Sequence, residues 1–177
     1  TFTGGLTASS AANNYLLNNF KYITATGNQD YSSLTAGNYT IMVNVALADG
    51  NYIRLPEATT SNGGMHIRVI FGLAPADNAV VGFKTSVIVG GATSLSDGTE
   101  GLAGQGAGIK TSAHGTTNHS LQIDTNGAAG DGSGVPGTIL DFYYPGVANI
   151  VLYRGNLIGA VDSVTLANHF RTAEVDA

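Results

Sequence analysis

The chain contains no cysteine. That excludes a disulfide framework, a thiol nucleophile and every zinc site built on thiolates. Tryptophan is absent too, which removes the largest aromatic surface a binding site could use. Charge is scarce: seven Lys and Arg with twelve Asp and Glu make 11% of the residues, against roughly 25% in an average domain. No two basic residues are adjacent and the formal net charge is −5. Both facts argue against nucleic acid as a partner, since it calls for a basic stripe. No run approaches 18 consecutive apolar residues, so no transmembrane helix is expected. The opening stretch TFTGGLTASSAANNYLLNN lacks the basic and apolar regions of a signal peptide.

Glycine is in excess, 25 of 177 residues, about twice the usual share of roughly 7%. The length suits one domain with a substantial core. A compact 18.0 kDa monomer exposes roughly 8,000 Å², so each charge must serve about 400 Å² of surface. Neutral Thr, Ser and Asn, together with neighbouring subunits, are expected to cover the remainder.

Period-2 patterning becomes dense from Leu34 onward. In Met65–Phe71 the residues Met65, Ile67, Val69 and Phe71 fall on one face and His66, Arg68 and Ile70 on the other, which predicts a half-buried strand. Tyr52–Leu55 is a second such run, ended by Pro56, and the Gly-containing stretch from Thr59 to Gly64 predicts a hairpin joining the two. Tyr39–Val45 predicts a strand, and Asp49-Gly50 predicts a hairpin from it into Tyr52–Leu55. Val80–Phe83, Ser86–Val89 and His119–Asp124 are further expected strands. Thr138–Tyr144 and Asn149–Arg154 flank Pro145-Gly146 as a hairpin. After Asn156–Val161, a last strand, Asp162 caps a short helix or Val161–Leu166 continues as a strand. These elements predict an all-β domain over residues 31–177, an antiparallel sandwich or jelly-roll-like barrel. Residues 97–137 form a Gly-rich insertion.

Residues 1–30 differ. They hold only two charges, Lys21 and Asp30, yet carry Phe2, Leu6, Tyr15, Leu16, Leu17 and Phe20. Each anchor contributes roughly 1.5–3 kcal/mol on burial, against roughly 1–2 kcal/mol of backbone entropy per ordered residue. Six anchors do not outweigh thirty residues. The expectation is an N-terminal arm that orders against a neighbour, with a strand at Lys21–Thr24 and a short helix over Ser10–Asn19 as its local candidates.

Candidate chemistry is thin. His66, His114, His119 and His169 are scattered, and the His114–His119 spacing matches no usual zinc pair. Asp124, Asn126 and Asp131 offer oxygen ligands, but Val135 occupies the place of the bidentate acid of an EF-hand, which leaves only an irregular calcium site open. Gly104, Gly106 and Gly108 lack the strand-to-helix context of a nucleotide loop. No serine lies in a G-x-S-x-G elbow. The expectation is no catalytic residue, no cofactor and no metal site. Phe142, Tyr143, Tyr144 and Tyr153 either form a sugar-stacking platform or alternate between core and subunit interface.

Tyr52-Ile53-Arg54-Leu55-Pro56-Glu57-Ala58-Thr59, followed by a Gly-containing turn and an alternating strand, then Gly90-Gly91-Ala92-Thr93-Ser94-Leu95-Ser96-Asp97-Gly98, resembles a β-domain of tailed-phage virion proteins. The closing pair Ile139–Tyr143 and Asn149–Tyr153 fits the same pattern. The resemblance covers about half the chain and departs from it in the Gly-rich insertion after Asp97. It implies a non-enzymatic structural protein of the virion: a capsid decoration (cement) protein on the shell surface, assembled in the host cytoplasm. Its implied partners are the major capsid protein and copies of itself, as a homotrimer, with neither nucleic acid nor membrane. The alternative it implies is a tail-fibre or receptor-binding module that recognises host glycan.

Overall fold

The computed structural model describes residues 18–96, 109–110, 118–124, 136–159 and 169–175. Within them twelve strands form two sheets that face each other across one apolar core. The chain shuttles between the sheets. β1 (Asn18–Ile23), β3 (Asn38–Val43) and β5 (His66–Phe71) lie in the seven-stranded sheet, and β2 (Gln29–Asp30), β4 (Asn51–Arg54) and β6 (Asn78–Gly82) lie in the five-stranded one. Each return to a sheet runs in the same direction, so β1–β3, β3–β5, β2–β4 and β4–β6 all pair in parallel. A parallel pair needs a long crossover. Here the crossover is a strand of the opposite sheet.

The second half closes this coil. β7 (Val87–Ser96) crosses back to the seven-stranded sheet but leaves a gap beside β5. β8 (Ile109–Lys110) pairs with β7, β9 (Ser120–Asp124) pairs with β6, and the hairpin of β10 (Ile139–Tyr143) and β11 (Ile150–Gly159) fills the gap. β12 (Phe170–Arg171) adds to β9. The final orders are β1-β3-β5-β10-β11-β7-β8 and β12-β9-β6-β4-β2.

The all-β sandwich is therefore present, with the expected inward row Met65, Ile67, Val69 and Phe71 buried to 1% exposure or less. The β10–β11 hairpin and the strand through 120–124 also stand where expected. Three expectations are corrected. The sheets are mixed, not antiparallel, because of the shuttling just described. Tyr52–Leu55 and Met65–Phe71 are not a hairpin, since β4 and β5 lie in different sheets. Their connection steps from one sheet to the other, with Leu55 and Ala58 buried and Thr59, Thr60 and Ser61 exposed. Asp49-Gly50 likewise makes a real turn, with Gly50 at φ +74° and Asn51 N–H donating to Ala48 O, but it bends the chain from one sheet to the other.

Among the described residues the first strand is Asn18–Ile23, so residues 18–30 of the expected arm belong to the sandwich, and Ile23 is wholly buried. Residues 1–17, with five of the six arm anchors and most of the expected helix, lie outside the described residues, as do 125–135 and the alternatives at 162–166. Lys21 stands in the core-facing row of the edge strand, in register with Ile41 and, one strand further, Val69. It is exposed. A charge at that position discourages strand addition at the edge.

The segment after β4 is a clasp. Leu55 fills the core, and Pro56 O accepts the hydroxyl of buried Tyr144 at 3.0 Å. The Glu57 carboxylate accepts five hydrogen bonds from the β6–β7 connection. Lys84 N–H donates to Oε1 at 2.7 Å. Thr85 N–H and Oγ1 and Ser86 N–H and Oγ all donate to Oε2. Ala58 N–H closes the ring onto Ser86 Oγ at 2.8 Å. Thus Leu55-Pro56-Glu57-Ala58 owes its residue types to joining two crossings between the sheets.

Candidate docking face

Register assembles the outer face of the seven-stranded sheet. Along β10 the inward residues are Leu140 and Phe142, so Ile139, Asp141 and Tyr143 point outward. Pairing then sets Tyr143 between His66 and Leu152, Asp141 between Arg68 and Arg154, and Ile139 between Ile70 and Asn156. Toward β1 the same rows run through Asn38, Thr40 and Met42 to Asn18, Phe20 and Tyr22.

At the centre sits Asp141, 5% exposed although it belongs to the outer face. Arg68 grips it with two bonds, Nε to Oδ1 at 2.7 Å and Nη2 to Oδ2 at 3.0 Å, and His66 donates from Nε2 to Oδ1 at 2.8 Å. Burial alone would push the Asp141 carboxyl up, but the bonds from Arg68 and then His66 outweigh it and hold the group below the ordinary carboxylate range. The His66 ring also stacks on Tyr143, centroids 4.5 Å apart and planes 4° from parallel. Arg68 balances the Asp141 charge, and exposed Arg154 stands on its other side.

Around it the face is mixed: Asn38, Thr40, exposed Arg154 and exposed Asn156 alternate with apolar groups. The large hydrophobic side chains exposed among the described residues are Phe20, Tyr22, Leu73, Tyr143, Val147 and Leu152. Four of these, Phe20, Tyr22, Tyr143 and Leu152, stand on this one face, with half-buried Met42, Ile70 and Ile139 between them. Phe20 and Tyr22 stack at 6.5 Å.

The other residues singled out in the sequence fall elsewhere. Phe142, Tyr144 and Tyr153 are interior, 0 to 4% exposed, so the four-ring sugar platform is not formed and only Tyr143 faces outward. His169 is buried. Its Nδ1 donates to Gln122 O at 3.0 Å, and the Tyr153 hydroxyl donates to Nε2 at 2.8 Å. His119 Nδ1 donates to Ser86 O. Asp124 ends β9, while His114, Asn126 and Asp131 lie outside the described residues. Among the described residues no three His, Asp or Glu side chains gather to hold a metal ion, and no helix is long and apolar enough to cross a membrane. The Arg68–Asp141–His66 cluster comes together only through the pairing of β5 with β10. Its signal was the outward place of each residue in an alternating strand. No family model, curated protein or solved structure matches this chain.

Proposed function

We propose that this chain is a non-enzymatic structural protein of a tailed-phage particle, a capsid decoration protein that docks on the shell through the outer face of its seven-stranded sheet. The observation that carries the reading is the placement of exposed Phe20, Tyr22, Tyr143 and Leu152 on that one face, beside the Arg68–Asp141 pair. Exposed apolar groups collected on one face mark an interaction surface more than scattered ones do. Size favours a lattice partner. Five strands from β1 to β11 span about 19 Å, and three outward rows about 15–20 Å, roughly 300–400 Å². A stable one-to-one complex buries about 800 Å² per partner. One face of this area binds weakly, so firm attachment comes from copies acting together, as trimers or along a repeating shell. Aromatic and aliphatic groups supply the contact, and the fixed Arg68–Asp141 pair supplies orientation.

Particles assembled without this chain should take it up to a fixed ratio. Tyr22→Lys and Leu152→Glu should reduce uptake at least about tenfold, with melting temperatures close to that of the parent. Absence of saturable uptake would refute the docking role. Glycan binding abolished by Tyr143→Ala would instead support a receptor-binding module.

A further inference from the structure

A cleft of about 600 Å³ lies between the loop joining β2 to β3 and the segment that follows β4. It has the size of a small-molecule site, roughly 300–1,000 Å³. Hydroxyls line it: Ser32, Ser33 and Thr35 from one wall, Thr59 and Ser61 from the other. Leu34 and Pro56 supply carbon surface, and Arg54 and Glu57 supply charge.

These groups differ in what they have left to give. Glu57 already holds the five donors of the β6–β7 connection, four of them on Oε2. Asn62 is spent as well: its Oδ1 accepts Thr59 N–H and its Nδ2 donates to Glu57 O. Arg54 is not. Its Nη1 stands 3.8 Å from Asp30 Oδ2, beyond hydrogen-bond length, and its Nε is buried with no acceptor. Among the described residues no other buried side-chain nitrogen or oxygen is left so. Nε is shut off from solvent and so from a ligand in the cleft as well; what Arg54 offers the cleft is its Nη groups, of which Nη1 stays 3.8 Å from Asp30 Oδ2.

Charge selects the ligand. Asp30 and Glu57 against Arg54 leave this corner with one net negative charge, so a carboxylate or phosphate would add a second. A neutral hydroxyl can accept from the guanidinium without that cost, donate to Thr59 or Ser61, and leave a C–H face for Leu34 and Pro56. We propose that the cleft is a binding site for a neutral saccharide, held by Arg54 and the Thr59–Ser61 hydroxyl pair, whose oxygens are 3.0 Å apart. The site stands apart from the docking face and shares none of its residues, so either reading can fail alone.

The test is an amide NMR titration of the whole chain with maltose, lactose and N,N′-diacetylchitobiose, and with glucuronate as the charged control. Saturable shifts should appear at residues 32–36, 54 and 59–62 with at least one neutral sugar and be weaker with glucuronate. Arg54→Gln should raise the dissociation constant about tenfold or more, and Ser61→Ala about threefold, while Tyr143→Ala leaves it unchanged. Ser61→Ala keeps the test decisive should Arg54→Gln fold poorly. No saturable shift with any neutral sugar, shifts centred elsewhere, or unchanged affinity in Ser61→Ala overturns the proposal. Tighter binding of glucuronate overturns the choice of a neutral ligand.

Discussion

Replacing Glu57 by Gln removes one charge from the clasp and little volume. The carboxylate holds five donors, four of them on Oε2. A glutamine can put its carbonyl oxygen in that place, but its amide then meets Lys84 N–H donor to donor, and the remaining bonds lose their charge. Hydrogen bonds to charged groups contribute roughly 1.5–3 kcal/mol each, and an unmet donor costs roughly 1–3 kcal/mol. Because Glu57 is only half-buried, the low end applies, and the expected loss is about 2–4 kcal/mol. At about 2–4 °C per kcal/mol for a chain of this size, the melting temperature should fall by roughly 4–16 °C. Far-UV circular dichroism suits the measurement, since no tryptophan is present. The pH dependence checks the cause. Burial pushes the carboxyl up, but the bonds from Ser86, Thr85 and Lys84 outweigh it, and the group sits below its ordinary 4.5. A carboxyl lowered in the folded chain contributes stability that is full above its unfolded value and is lost as pH falls through the folded one. The gap between parent and variant should therefore be level from neutral pH to about 5 and close in acid. A variant within about 0.5 kcal/mol of the parent, or a gap that persists in strong acid, refutes the clasp.

His169 is lowered by burial to about 4, against 6.5 when free. Its contribution is full above 6.5 and lost as pH falls through the folded value, about 3 kcal/mol in all; in urea titrations His169→Gln should flatten that part of the stability profile, and an unchanged slope would assign it elsewhere. Gly90 has φ +154° and pairs with Tyr153, whose carbonyl an added Cβ would strike. Gly90→Ala should therefore destabilise by about 2–3 kcal/mol or more, and calorimetry showing no change would mean that the β7–β11 pairing is mistaken. Light scattering over a dilution series should show a small cyclic oligomer, a trimer, that Leu152→Glu leaves intact because the outer face of the seven-stranded sheet is kept for the shell; a monomeric mass at every concentration would refute self-association.

Alternation was the legible part of the fold. It identified which residues of β5 face inward, because a half-buried strand repeats every two residues whatever its partner. It could not assign a strand to a sheet. Asp49-Gly50 signals a change of direction, and the same signal serves a hairpin or a step across the sandwich. Pro145-Gly146 serves a hairpin because both flanking runs return to one sheet. The docking face was legible only in pieces. Asp141 is outward between Leu140 and Phe142, and Arg68 is outward between Ile67 and Val69, but their meeting depends on the pairing of β10 with β5. No local feature encodes that. The aromatic platform fails for a reason already present in Phe142-Tyr143-Tyr144: three consecutive residues of a strand cannot share a face.

The gap left beside β5 has a consequence for the order in which the chain acquires its structure. β1 to β6 can wind up as they emerge, each strand meeting a neighbour made one turn earlier. β7 cannot. Its longest partner is β11, so Val87 waits for Ile150, and until the β10–β11 hairpin arrives both β5 and β7 present raw edges toward the vacancy. Contacts this distant in sequence form slowly, and unpaired edges invite other chains meanwhile. A nascent or truncated chain ending near residue 96 should therefore be the most aggregation-prone species this sequence can produce. Supplying β10–β11 as a separate peptide should rescue it.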